Sequence, residues 1–100
     1  MILENGYETK TTFWQDFSIA DKFGINAIKD TYKISFDSWK NNVEYLTELA
    51  MVLNWKLWEH WENGNEQVAR VYEELWKKTD SYACENLKDK DLDYYFKTTD

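Results

Sequence analysis

Proline is absent from this sequence, and glycine occurs at only three of its 100 positions. Proline cannot continue the interior of a helix and glycine weakens it. A chain that almost lacks both residues therefore favours a few long helices. Aromatic residues, in contrast, are abundant at 18% of the chain, and they supply the large buried areas that a small core needs.

A single cysteine, Cys84, cannot form a disulfide bond within the chain, which is typical of proteins in a reducing compartment. No apolar run approaches the roughly 20 residues that a membrane-spanning helix needs. The first residues also lack the basic start and the long apolar stretch of a signal peptide. We therefore expect a cytoplasmic protein that does not use a membrane.

Acidic residues outnumber basic ones. The chain has 12 Lys and Arg residues and 19 Asp and Glu residues, which gives a formal net charge of -7. A protein without surplus cations is poorly suited to displacing counterions from a phosphate backbone. Both signs are spread along the chain, as on an ordinary solvated surface. The expected partner is therefore another protein, with no direct binding of nucleic acid.

Apolar residues recur at steps of three and four along most of the chain, which is the spacing of one helical face. The clearest cases are segments 43–62 and 66–87, separated by a turn at residues 63–65. Gly24 and the pair at 41–42 predict two earlier breaks. The pattern thus predicts an all-α fold, a small helical bundle of three long helices plus two short ones.

The helical pattern begins only after the first ten residues. Residues 1–10 show no helical period, and we predict that they form a flexible N-terminal arm ahead of a single helical domain at 11–100. Thr12 and Gln15 have the spacing of a capping box, which predicts that the first helix starts beside Thr12.

Segment 43–62 carries a second apolar stripe, formed by Met51, Trp55 and Trp58 at positions i, i+4 and i+7. These residues point away from the main apolar face of the same helix. A helix that is apolar on two faces is either central in its bundle or in contact with a partner. In the favoured interpretation, the stripe is covered by Phe13, Trp14 and Phe17. In the alternative, Met51, Trp55 and Trp58 are the interface with a second copy or another protein.

No group of residues has the spacing of a catalytic, cofactor or metal centre. His60 is the only histidine, and its neighbours offer neither a nucleophile motif nor the Glu-x-x-His spacing of di-iron bundles. Cys84 is interpreted as a small packing residue. The glutamates of segment 43–62 are interpreted as a solvated strip: Glu44, Glu48, Glu59 and Glu62. We therefore predict that the protein is not an enzyme and uses no cofactor.

Several runs of the sequence form a pattern that extends over residues 11–100: TTFWQDF at 11–17, IADKFG at 19–24, AIKDTYK at 27–33, the stretch 45–58 and the terminal TTD. The whole pattern resembles a group of small uncharacterised proteins carried by phages and integrative elements of Gram-positive gut bacteria. The resemblance implies a bacterial cytoplasmic protein from mobile DNA. It implies no catalytic residues, since none of the runs is a known functional motif.

These observations favour a non-catalytic, acidic helical protein that acts through protein–protein interaction, with another protein or with itself. The alternative hypothesis is an acidic inhibitor that mimics nucleic acid and blocks a DNA- or RNA-binding host enzyme. Mimicry requires acids aligned on one face, and the lysines interleaved with Asp89, Asp91 and Asp93 weaken this alternative.

Because no ligand set with suitable spacing exists, we predict that metal chelation leaves the stability of the protein unchanged. The measurement is a thermal unfolding curve recorded with and without EDTA, together with the metal content of the purified protein. A lower melting temperature in EDTA, with stoichiometric metal in the untreated sample, would contradict this prediction.

Overall fold

The computed structural model describes residues 2–3 and 6–99. Its five helices are α1 (Phe13–Phe23), α2 (Ile25–Trp39), α3 (Val43–Glu62), α4 (Glu66–Asn86) and α5 (Asp89–Thr99). Within the described ranges there is no strand, apart from an isolated bridge between Ile2 and Glu8. The predicted all-α class is confirmed. Parts of the predicted arm and domain lie outside the described residues, namely Met1, Glu4, Asn5 and Asp100.

Local sequence signals set the breaks between the helices. Gly24 separates α1 from α2 with a φ of 106°, a backbone angle that glycine adopts without strain. Asn42 caps α3, because its side-chain oxygen accepts a hydrogen bond from the Tyr45 N–H at 3.2 Å. Thr12 also precedes its helix, but the predicted capping box is wrong. Its hydroxyl donates to the Asp16 carboxylate at 2.9 Å, so it does not cap the backbone.

The central element is α3, which contacts each of the other four helices. Half of its 20 residues are buried, and they lie on all sides of the helix. Its residues enter both apolar clusters of the core. The larger cluster joins α3 to α1, α2 and α4, and the smaller joins α3 to the ends of α4 and α5. The central position of α3 explains why segment 43–62 carries two apolar stripes, since a central helix is buried on more than one face.

The most extensive contact is between α3 and α4, which a three-residue turn connects. Leu57 packs in one cluster with Ala69, close to the turn. Leu46, at the far end of α3, packs with Ala83 near the end of α4. The two helices therefore run antiparallel along most of their length.

The segment ahead of α1 is held by Glu48 of α3, whose side chain is fully buried. The Glu48 carboxylate accepts hydrogen bonds from the backbone N–H groups of Lys10, at 2.6 Å, and Thr11, at 3.0 Å, and from the Thr11 hydroxyl. Burial, followed by the nearby Glu48 charge, raises the pKa of Tyr7 to about 12. The prediction that Glu48 is solvated is therefore wrong, because this carboxylate serves backbone donors that have no helical partner.

Residues nearer the N-terminus are joined to one another by backbone hydrogen bonds. Leu3 is buried, and its N–H donates to the Tyr7 carbonyl at 2.8 Å. The predicted flexibility of residues 1–10 stays a prediction. Among residues 2–3 and 6–99, no helix has the length and apolar character needed to cross a lipid bilayer.

We predict that Glu48→Gln lowers the free energy of unfolding by about 1–3 kcal/mol, since an amide replaces a charged acceptor of several buried donors. Glu44→Gln is the matched control. Glu44 is exposed and pairs with the Lys10 ammonium at 2.8 Å, so its loss should cost about 0.5 kcal/mol or less. Urea unfolding curves of both variants measure the difference. Equal costs for the two variants would contradict the anchoring role of Glu48.

Candidate interaction groove

The Met51, Trp55 and Trp58 stripe extends from the core of the protein to its surface. Met51 is 2% exposed and belongs to the interior. Trp55 is half-buried, whereas Trp58 is 55% exposed. In this structure, therefore, only the Trp55 and Trp58 end of the stripe is open to a partner.

Trp55 and Trp58 line an open groove of about 520 Å³ beside α1. Trp14 of α1 forms one wall, and its ring meets the Trp55 ring edge to face, with centroids 6.3 Å apart. Glu59 and Glu62 also line the groove, together with Ile2, Leu3 and Asn54. The groove is thus walled by three indole rings and carries two carboxylates. Of the three residues expected to cover the stripe, Trp14 contacts Trp55, while Phe13 and Phe17 are buried in the larger core cluster.

Next to the groove, Asp21 of α1 is the centre of a polar network that joins three helices. Its Oδ2 atom lies 3.1 Å from the Lys56 ammonium and 3.1 Å from His60 Nε2, both on α3. Its Oδ1 atom accepts a hydrogen bond from the Tyr72 hydroxyl of α4. Lys56 also reaches Glu59, at 3.1 Å. One carboxylate therefore connects α1, α3 and α4.

The lysine of this network is unusual for its burial, since its side chain is only 3% exposed. Buried charges are expensive unless they are paired. Besides the two carboxylates, the Lys56 ammonium lies 4.4 Å from the centroid of the Trp14 ring, in cation–π contact. The ammonium group thus fixes Trp14, and with it one wall of the groove, relative to α3.

His60 lies between Asn65, Asp21 and Tyr72. The side-chain amide of Asn65 lies 3.2 Å from Nδ1 of the ring. Nε2 faces Asp21 at ion-pair distance but without the alignment of a hydrogen bond. The ring also stacks on Tyr72, with the planes 11° apart. Its Nε2 atom is buried and faces Asp21.

The Tyr72 hydroxyl acts as a donor in this network. Burial, and after it the hydrogen bond to Asp21, raises the pKa of Tyr72 well above its ordinary value. A phenol with a raised pKa stays protonated at neutral pH and cannot serve there as a base. The network therefore holds the ends of α1, α3 and α4 together.

The sequence pattern singled out Trp55 and Trp58, which line the groove, but missed the Asp21 network. Asp21 is separated from Lys56 by 35 residues and from Tyr72 by 51, so no local motif connects them. One local signal was present, since the charged Lys56 stands directly between the apolar residues Trp55 and Leu57. Cys84 was also misjudged, since it is exposed and not a packing residue.

Within residues 2–3 and 6–99, no three His, Cys, Asp or Glu side chains are grouped so that they could hold a metal ion. Comparison of the chain with protein-family models, with curated proteins and with solved structures finds no match. The geometry of the groove and of its polar support is therefore the basis for a functional proposal.

We predict that Asp21→Asn destabilises the protein by about 3 kcal/mol, because it leaves the Lys56 ammonium buried without its main partner. Adding Lys56→Met should recover part of that loss, with a coupling energy of about 1 kcal/mol or more. Chemical unfolding of the single and double variants gives this coupling. As a control, Glu66→Gln breaks an exposed pair with Arg70 and should cost about 0.5 kcal/mol or less. Strictly additive effects at Asp21 and Lys56 would contradict the network.

Proposed function

We propose that this chain is a non-catalytic interaction protein that binds a protein partner, another protein or a second copy of itself, through the groove between α1 and α3. The observation that supports the proposal is the exposure of Trp58 at an aromatic groove. Tryptophan is among the residues that contribute most to binding energy at protein interfaces. An exposed indole beside two half-buried ones offers a partner apolar area that the folded chain leaves in water.

The structure beneath the groove supports binding without rearrangement. Met51, one helical turn before Trp55, is buried, and Lys56 is in cation–π contact with Trp14, one wall of the groove. A site whose walls are already fixed loses less conformational entropy when a partner binds. The Asp21 network thus acts as the support of an interaction surface.

We further propose the setting in which this surface acts. The chain works as one small bundle of three long helices plus two short ones, in the bacterial cytoplasm, without a cofactor and without direct contact to nucleic acid or membrane. The single cysteine and the negative net charge support that setting. Its resemblance to proteins of phages and integrative elements is part of the same proposal.

The test compares two tryptophans of the same helix with nearly equal exposure, Trp58 at 55% and Trp61 at 51%. Only Trp58 lines the groove, while Trp61 lies beside residues of α4. We predict that Trp58→Ala abolishes association and that Trp61→Ala does not. Both changes should alter the free energy of unfolding by about 1 kcal/mol or less, because both rings are largely exposed.

Association is measured in two ways, because the partner is either the chain itself or another protein. Light scattering coupled to size-exclusion chromatography reports a second copy. Affinity capture from cells that carry the gene naturally, read by mass spectrometry, reports another protein. Capture or self-association that survives Trp58→Ala in a folded variant would refute the proposed groove.

A further inference from the structure

The groove has a regular arrangement of aromatic and acidic residues along α3. Trp55 and Glu59 are four residues apart, and so are Trp58 and Glu62, so each indole has a carboxylate one helical turn further on. Glu59 already pairs with Lys56. Glu62 is exposed and, within the described ranges, has neither an ion pair nor a side-chain hydrogen bond. The pair of Trp58 and Glu62 is therefore open to an incoming group.

The same groove already shows that its indoles accept a cation. The Lys56 ammonium lies over the ring of Trp14, one of the groove walls, at 4.4 Å from the centroid. Attraction between a cation and an indole ring comes from the negative face of the ring, and tryptophan is the strongest of the aromatic residues in this contact. No lysine or arginine lines the groove in the described part of the chain. Trp58 and Glu62 thus present a π face and a negative charge that no lysine or arginine of the described residues contacts.

We infer that the groove binds an arginine side chain from a basic segment of the protein partner. This inference rests on the proposed function, and it specifies the chemistry of the partner. The guanidinium group would lie over the Trp58 indole and pair with the Glu62 carboxylate. Charge complementarity supports this occupant, because the whole chain carries a net charge of -7 and both groove acids are glutamates.

Arginine fits this groove better than lysine for two physical reasons. Its planar guanidinium stacks on an aromatic face, whereas an ammonium group acts as a point charge. The guanidinium also donates two parallel hydrogen bonds to one carboxylate, which an ammonium group cannot do. A purely apolar side chain would pack against the indoles but would form no favourable interaction with the Glu59 and Glu62 carboxylates.

The experiment uses three blocked nonapeptides with a glycine–serine scaffold, which carry at their centre two arginines, two citrullines or two leucines separated by one glycine. Citrulline keeps the shape of arginine and lacks its charge. Each peptide is titrated into the ¹⁵N-labelled full chain while the indole N–H signals are followed by NMR. We expect the arginine peptide to shift the signals of Trp55 and Trp58 and to leave that of Trp39 unchanged.

The citrulline peptide should bind about tenfold more weakly, since it loses both the cation–π contact and the ion pair. Glu62→Gln should weaken arginine binding severalfold, whereas Glu74→Gln, an exposed control on α4, should not. Added salt should weaken arginine binding as well. Trp58→Ala should remove the response, and its thermal unfolding curve verifies that the variant is folded.

Three results would overturn the inference. They are equal binding of the arginine and citrulline peptides, stronger binding of the leucine peptide, and no binding of any peptide. Stronger leucine binding at Trp58 would leave the proposed interaction groove intact and refute only its cationic occupant. The proposed function itself fails only if association of the natural partner is independent of Trp58, so the two failures are distinguishable.

Discussion

The constraint on which the whole structure depends is that α3 must be covered on every side. A 20-residue helix with buried residues around its circumference cannot be stable against a single neighbour. Each of the other four helices covers a part of the α3 surface, and α4 has the most extensive contact with it. Where this cover ends, at the last turns of α3, Trp58 and Trp61 emerge into solvent. The groove therefore lies where the helices stop enclosing α3.

Two buried charged residues of α3 hold parts of the chain that pack less extensively against α3 than α4 does. Glu48 holds the segment ahead of α1 through backbone N–H groups, and Lys56 holds α1 itself through Asp21. Both residues lie among apolar neighbours, where an unpaired charge would strongly destabilise the fold. Each charge therefore favours the observed arrangement, because an arrangement without its partner would leave the charge buried and unpaired. The cation–π contact between Lys56 and Trp14 also fixes the position of Trp14, which forms the α1 wall of the groove.

The sequence was sufficient for the features that depend on neighbouring residues. Gly24, Asn42 and the turn at 63–65 act locally, and the helices begin and end beside them as predicted. The periodicity of segment 43–62 also identified the aromatic stripe. What it could not provide was how far along α3 the other helices cover it. That extent decides that Glu48 is buried and Glu62, the last residue of α3, is exposed, although both lie on the same acidic strip.

Photo-crosslinking at position 54 tests the central claim most directly, because Asn54 lines the groove and the Trp58 indole stays in place. A photoreactive phenylalanine derivative replaces Asn54 in one protein and Glu74, which is exposed and lies outside the groove, in another, and both are irradiated in cells that carry the natural partner. The account predicts a covalent adduct of defined mass from position 54 and little or none from position 74. No adduct from position 54, or equal adducts from the two positions, would contradict the claim that the α1–α3 groove is the binding surface.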